Sequence, residues 1–291
     1  MKPINTFIIP TINNLEGLSK LVKSIYKYTE PDSFRIISVF NGTDEDFEKI
    51  RKEIGNKIHV WIKPYRNLGF GKSMNIGIQM ATTEYVTLAN DDVEVLYPSW
   101  WQDIMAIFAD HANLGGFNPH SFINKRHTGD RAAQYDIKDE YSQEDIDKMK
   151  QIFHSERWYV GCCTFFTICK KAMFDKVGLF DESFGLGSGE DYDLCIRAAK
   201  GGYLIAGGSL VMVKHWWGAT KDNLPQDENF ISNYNLIMGG VQNLERKWGP
   251  HIDKTPDKTG WTVSGQGGPE EPFDKDTVLY PNNKWYQVKD L

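Results

Sequence analysis

Tyr85-Val86-Thr87-Leu88-Ala89-Asn90-Asp91-Asp92 is a short β-rich run that stops in an amide and two adjacent carboxylates. The run predicts a strand over 85–89 whose carboxyl end carries the acids, and in open α/β sheets that end is where ligands collect. Two neighbouring carboxylates repel each other unless donors or a cation neutralise them. A hard divalent ion, Mn²⁺ or Mg²⁺, would do so while sharing its oxygen ligands with a substrate diphosphate. Capping of the following turn by Asp91 and Asp92 is the competing reading.

Upstream, β-rich runs alternate with helical patterns, the mark of βαβ units feeding a mostly parallel sheet. Strands are predicted over 6–10, 34–40 and 58–62, and helices over 17–28, 44–54 and 72–81. Leu18, Leu21, Val22 and Ile25 repeat at helical spacing, and Asn41-Gly42 stops the second strand. Downstream, helices are predicted over 100–110, 171–177, 192–200 and 227–248, with strands over 159–168, 204–206 and 210–213. Residues 121–155 are polar and read as an insertion or long mobile segment, and 249–291 as an irregular tail laid over the core. No repeat of 20 to 50 residues is visible.

The 291 residues are 41% hydrophobic and 25% charged, enough for a large core and incompatible with disorder as the main state. The net charge of −6 gives no support for general attraction to nucleic acid or an anionic membrane, leaving only a local basic groove open. Met1–Pro10 is too short and too weakly apolar for a signal peptide or a span, so the chain reads as cytoplasmic and unanchored. Cys162, Cys163, Cys169 and Cys195 form no zinc spacing and read as small buried thiols.

Two further clusters bear on chemistry. Arg66-Asn67-Leu68-Gly69-Phe70-Gly71, followed by Asn75 and Gly77, places glycines just before a helix N-terminus suited to anions. It is neither a P-loop nor a dinucleotide fingerprint. Gly185-Leu186-Gly187-Ser188-Gly189-Glu190-Asp191-Tyr192-Asp193 sets three acids at the start of a helix behind a flexible glycine loop. Capping accounts for one or two of them, and a catalytic carboxylate on a closing lid accounts for the set. A later strand ends in His215-Trp216-Trp217, a candidate metal ligand beside a wall on which a sugar could stack.

The ordered series Phe7-Ile8-Ile9-Pro10-Thr11, Asn41-Gly42-Thr43-Asp44, Asn67-x-Gly69-x-Gly71 with Asn75-x-Gly77, Asn90-Asp91-Asp92, and Phe180-Asp181-Glu182 leading to Gly189-Glu190-Asp191-x-Asp193 resembles the family 2 glycosyltransferases of GT-A fold. The closest flavour is the rhamnosyl- and galactofuranosyl-transferase-like group. The resemblance runs from about residue 4 to 220. It implies an α/β GT-A (nucleotide-diphospho-sugar transferase) fold with a catalytic domain over 1–220, in which 1–92 binds nucleotide and 93–220 carries the acceptor and catalytic half. Residues 221–291 would add a helix and tail.

By the same resemblance, Thr11, Asn41 and Asp44 hold the nucleobase and ribose, and Asn67, Gly69, Gly71 and Asn75 line the nucleotide. Asp92 and His215 hold the metal, and Asp91 meets the ribose or donor sugar. Asp191 is the catalytic base beside Glu190, an acid on the acceptor side. Trp158, Asp193, Trp216 and Trp217 are the expected acceptor contacts. The implied activity is inverting, metal-dependent transfer from a UDP- or dTDP-sugar to a hydroxyl, of a glycan foremost, or of a modified nucleobase or protein. A nucleotidyltransferase, which also uses paired acids and a metal, and a non-catalytic carbohydrate-binding protein are the competing classes. Asn90 in place of a leading Asp, and Asn41-Gly42-Thr43 in place of Asp-Asn-x-Ser, depart from the family pattern.

Overall fold

The computed structural model describes residues 2–121, 140–152, 158–160, 165–216, 233–248, 277–279 and 285–287. Its strands are β1 (Asn5–Thr11), β2 (Phe34–Phe40), β3 (Val60–Ile62), β4 (Tyr85–Ala89), β5 (Val93–Val95), β6 (Leu114–Ser121), β7 (Trp158–Val160), β8 (Phe166–Lys170), β9 (Leu204–His215), β10 (Thr277–Leu279) and β11 (Trp285–Gln287). The helices are α1 (Leu15–Tyr28), α2 (Asp44–Ile54), α3 (Gly69–Met80), α4 (Trp100–Asp110), α5 (Gln143–Ile152), α6 (Lys171–Val177), α7 (Glu190–Lys200) and α8 (Asn233–Trp248).

One sheet runs in the order β3-β2-β1-β4-β8-β6-β9-β5, and β7 also pairs with β9. Strands β3, β2, β1 and β4 are parallel, as their βαβ connections require. Beyond them β8 runs antiparallel between β4 and β6, β9 runs parallel to β6, and β5 and β7 run antiparallel to β9. This sheet, with helices on its faces, agrees with the α/β architecture that the resemblance implied.

The period of two along β1 assigns its side chains to two cores. Phe7 and Ile9 join Leu18, Leu21, Val22 and Ile25 of α1, Ile50 and Ile54 of α2, and Trp100 and Ile104 of α4. Ile8 faces the other way, onto Met74 and Ile78 of α3, Phe174 of α6 and Leu194 of α7. Both faces of a parallel sheet are thus covered by helices. On the second face, Gly77 lets α3 lie against β1, because a Cβ there would stand 2.9 Å from Ile8 Cγ1 and closer still to its methyl.

Several elements differ from the sequence expectation. Strand 159–168 divides into β7 and β8, because they pair with different partners, and 204–206 and 210–213 are one strand, β9. β5 and β6 are additional, α3 begins at Gly69, and α7 begins at Glu190. The polar stretch 121–155 contains α5, whose Ile146 is buried in the first core. The tail is not wholly irregular, since β10 and β11 pair antiparallel. Cys169 and Cys195 are buried, as expected, whereas Cys162 and Cys163 lie outside the described residues. No helix among the described residues is long and apolar enough to cross a membrane.

Gly77→Val would force branched carbons into Ile8 with little gain in helix propensity. A stability loss of about 3 kcal/mol is expected from overpacking, read as a lower urea midpoint. An unchanged midpoint would mean that α3 lifts from β1 without penalty.

Candidate active site

The carboxyl ends of β1, β2 and β4 converge on the turn 90–92. Asn14 caps α1, accepting from Gly17 N at 3.1 Å, while its amide nitrogen donates to Asp91 Oδ1 at 3.2 Å. Thr11 Oγ1 also donates to Asp91. The Asp91 carboxylate, expected to reach ribose or donor sugar, is therefore anchored to the β1–α1 turn. Gly17 permits this approach, since a Cβ there would lie 2.5 Å from the Asp91 carbonyl oxygen. Asn14 was not among the expected site residues, although an Asn just before an apolar helical run is a cap signal.

Asp92 is left with the opposite character. Its side chain is buried, and Oδ1 has no hydrogen-bond partner. Val93 pairs with His215 across β5 and β9, and Trp216 N donates to Asp92 O at 2.9 Å, so the ladder delivers the imidazole to the acid. His215 Nε2 stands 3.2 Å from Asp92 Oδ1, itself buried and without a hydrogen bond. Phe165 stacks on the imidazole at 4.2 Å between centroids and fixes its plane. A buried carboxylate oxygen and a buried imidazole nitrogen facing each other unbonded form a donor set that suits Mn²⁺ or Mg²⁺. Among the described residues no cluster of three or more His, Cys, Asp or Glu side chains comes together, so this pair is what the protein offers a cation there.

The two glycine loops meet. Asn67 Oδ1 accepts from Gly69 N at 2.8 Å, and Phe70 N donates to Leu186 O at 2.9 Å. Gly69 has φ of +76° and lies so close to Leu186 that a Cβ would stand 2.6 Å from its carbonyl oxygen. Behind this contact Gly71 faces Glu190, whose Cγ would lie 3.8 Å from a Cβ at 71. Glu190 is 5% exposed, and its Oε2 has no hydrogen-bond partner. Burial pushes its carboxyl up and the adjacent Asp191 carboxylate adds to the effect, raising it from 4.5 to about 8. Asp191 is half-buried in the first turn of α7, its Oδ1 accepting from Tyr192 N at 2.9 Å.

Other expected site residues serve the scaffold. Asn41 Oδ1 accepts from Leu68 N at 3.0 Å and its nitrogen donates to Ser73 Oγ at 3.1 Å, stapling the 67–71 loop to β2. Asn75 donates to Phe180 O and accepts from Phe180 N, both at 2.9 Å, which brackets α3 to the segment leading to the acids. Asp44 is exposed at the start of α2, 3.1 Å from Lys63 Nζ, and Thr43 is the cap. Asp193 departs furthest from its assignment to the acceptor. It is fully buried, with Arg197 on Oδ2 and Lys247 and Trp248 on Oδ1, because a carboxylate this deep must be paired. Trp216 does not offer a bare ring either: its indole N–H donates to Glu94, and the Lys214 and Lys20 ammonium groups lie 4.2 and 5.3 Å from its ring. Trp158 is registered opposite Gly208 on β9, and Trp217 lies outside the described residues.

Residues 6–178 match the profile of Glycosyl transferase family 2. The chain belongs to that family. The pre-mycofactocin glycosyltransferase of Mycobacterium tuberculosis is 26% identical over 257 residues, 86% of this chain and 48% of that protein. The uncharacterized protein y4gI of Sinorhizobium fredii is 26% identical over 226 residues, 69% of this chain and 23% of that protein. The chain thus spans about a quarter to a half of the length of these relatives. In three dimensions it is similar to the mannosyltransferase PcManGT from Pyrobaculum calidifontis, in complex with GDP-Man and Mn²⁺ (TM-score 0.57, 14% identity, 88% of this chain and 66% of that one). It is also similar to GalNAc-T7 with UDP, GalNAc and Mn²⁺ (TM-score 0.60, 15% identity, 83% of this chain and 48% of that one).

The raised Glu190 carboxyl gives stability a direction with pH. A folded value above the unfolded 4.5 stabilises fully below pH 4.5, and that stabilisation is lost as pH rises through about 8. Chemical denaturation across this window should show the parent losing stability relative to Glu190→Gln as pH increases. Parallel pH curves would mean that Glu190 ionises like a solvated carboxylate.

Proposed function

We propose that the protein transfers a sugar from a nucleoside-diphosphate donor to a hydroxyl acceptor with inversion at the anomeric carbon, using Mn²⁺ or Mg²⁺. The observation that carries this reading is the buried, unbonded pair Asp92 Oδ1 and His215 Nε2, 3.2 Å apart at the carboxyl end of the sheet. The neighbours in complex with GDP-Man or UDP and Mn²⁺ support a nucleotide-sugar donor. A UDP- or dTDP-sugar as donor and a glycan hydroxyl as acceptor remain the assignments that the sequence motifs favour.

Asp92 and His215 would hold the cation, which when bound supplies Lewis-acid stabilisation of the charge growing on the departing diphosphate. The glycine loops bring backbone close to the nucleotide, with the α3 N-terminus favouring its phosphates. Asp191 takes the proton of the acceptor hydroxyl as that oxygen attacks the anomeric carbon. The bond to the diphosphate oxygen breaks on the opposite face, its electron pair leaving with the nucleoside diphosphate. Glu190, held neutral by burial, keeps its proton near pH 7 and leaves the base role to its half-buried neighbour.

A screen of nucleotide sugars for metal-dependent release of nucleoside diphosphate tests the class of reaction. Release of pyrophosphate from nucleoside triphosphates instead would establish a nucleotidyltransferase. Asp92→Ala should lower turnover by more than about a hundredfold, the scale of a principal electrostatic stabiliser; full activity at saturating Mn²⁺ would move the metal site elsewhere.

Asp191→Asn preserves size and hydrogen-bonding reach but cannot accept a proton. Transfer should fall by about 10² to 10⁴, while calorimetric binding of the nucleoside diphosphate with Mn²⁺ survives. Parent-rate transfer in this variant, together with loss in Glu190→Gln, would assign the base to Glu190.

A further inference from the structure

The backbone leading into the acidic helix is held in an unusual state. Gly185, Gly187, Ser188 and Gly189 have φ of 75°, 154°, 77° and 90°, and Ser188 is the non-glycine residue with positive φ among the described residues. A side chain in that region persists only where the surroundings over-determine it. On one side the determinant is Gly69 against Leu186. On the other it is α8.

Gly240 of α8 presses on Ser188 so closely that a Cβ at 240 would lie 2.6 Å from the Ser188 carbonyl carbon and 2.7 Å from its Oγ. From the opposite direction, a Cβ at Gly189 would lie 3.0 Å from Gly240 O. Gly239, its neighbour, has nothing within 4 Å of a Cβ, so the pair separates helix flexibility from close approach. The helix is pinned on both flanks of the loop. Lys247 Nζ lies 2.7 Å from Asp181 Oδ2 and 2.7 Å from Asp193 Oδ1, and Trp248 Nε1 donates to Asp193 Oδ1 at 2.9 Å. Asn243 Nδ2 donates to Ser183 O at 3.4 Å, and Leu244 is fully buried. Glu190 and Asp191 sit between these fixed points.

We propose that α8 is a positioning element for the catalytic acids, with Gly240 setting the 185–189 backbone and Lys247 tying Asp181 to Asp193 so that the first turn of α7 is held in place. Gly240 and Lys247 touch no reacting atom and act through the loop. The inference rests on the sugar-transfer reading only for its kinetic consequence; its mechanical content stands on the contacts.

The full-length chain is tested by hydrogen–deuterium exchange of peptides spanning 181–193, by calorimetry with UDP and Mn²⁺, and by turnover of whichever nucleotide sugar the screen identifies. Gly240→Ala should speed exchange in 181–193 and lower kcat by about a hundredfold, the effect of an ångström-scale misplacement, with UDP affinity and donor KM held within about twofold. Gly239→Ala should match the parent in all three. Lys247→Met should repeat the pattern more weakly and Lys247→Arg should restore it, which keeps the test decisive if Gly240→Ala does not fold. Overturning results are Gly240→Ala and Lys247→Met indistinguishable from Gly239→Ala in exchange and kcat, or a loss of UDP affinity equal to the loss of rate. Faster exchange in a protein whose parent turns over no nucleotide sugar would sink the transfer reading and leave the positioning role standing.

Discussion

The antiparallel ladder between β5 and β9 is the constraint from which the rest of the site follows. Three residues of β5 follow directly on the acidic turn, so whichever strand captures Val93 decides what Asp92 meets. Because Val93 is opposite His215, Asp92 meets an imidazole. The same β9 runs parallel to β6 further back, which in turn pairs with β8 and thereby with β4. The acid in the turn just before β5 and the imidazole at the end of β9 are brought together by a single hydrogen-bonded framework. Their mutual approach then needs no local backbone strain.

Adjacent carboxylates at Asp91 and Asp92 are resolved by dividing their surroundings. Asp91 receives two side-chain donors, Thr11 and Asn14, which disperse its charge within the scaffold. Asp92 receives none on Oδ1, so its unmet electrostatic demand points at His215. A similar division separates Glu190 from Asp191. Burial favours the neutral form of the first, while the second is only half-buried. Each pair yields one member tied or neutralised by its surroundings and one that is less so.

What was legible in the sequence was whatever a local period or a local cap could encode. β2, β4, α2 and α4 fall where alternation or helical spacing put them, and the order of the motifs led to the family. What escaped depended on distant partners. β6 reads Leu-Gly-Gly-Phe-Asn-Pro-His-Ser, without alternation, and is a strand because β8 and β9 flank it. β9 looked like two strands because Gly207-Gly208 interrupts its apolar run, and its register with β6 does slip between Pro119 and His120. The motif positions of Asn41 and Asn75 say nothing of their bonds within the protein, where Asn41 holds Leu68 N and Ser73 Oγ and Asn75 holds the Phe180 backbone, partners that no spacing rule connects to them. Of the partners of Asp193 only Arg197, four residues on, lies within reach of a local spacing rule, since Lys247 and Trp248 are more than 50 positions away.

That long separation also imposes an order on how the molecule can be made. A chain emerging from its N-terminus can pair β1 with β2 and β4 after some 90 residues, which completes the parallel unit and leaves Asp91 anchored. Asp92 waits until residue 215 has been synthesised before it gains its imidazole. The buried carboxylate of Asp193 waits longer still, until Lys247 and Trp248 arrive. Contacts of large sequence separation cost more loop-closure entropy and cannot form before both partners have been synthesised. All the strands of the parallel unit are therefore present well before residues 190–193 gain their last partners, and a chain released short of α8 lacks both groups that meet Asp193 Oδ1.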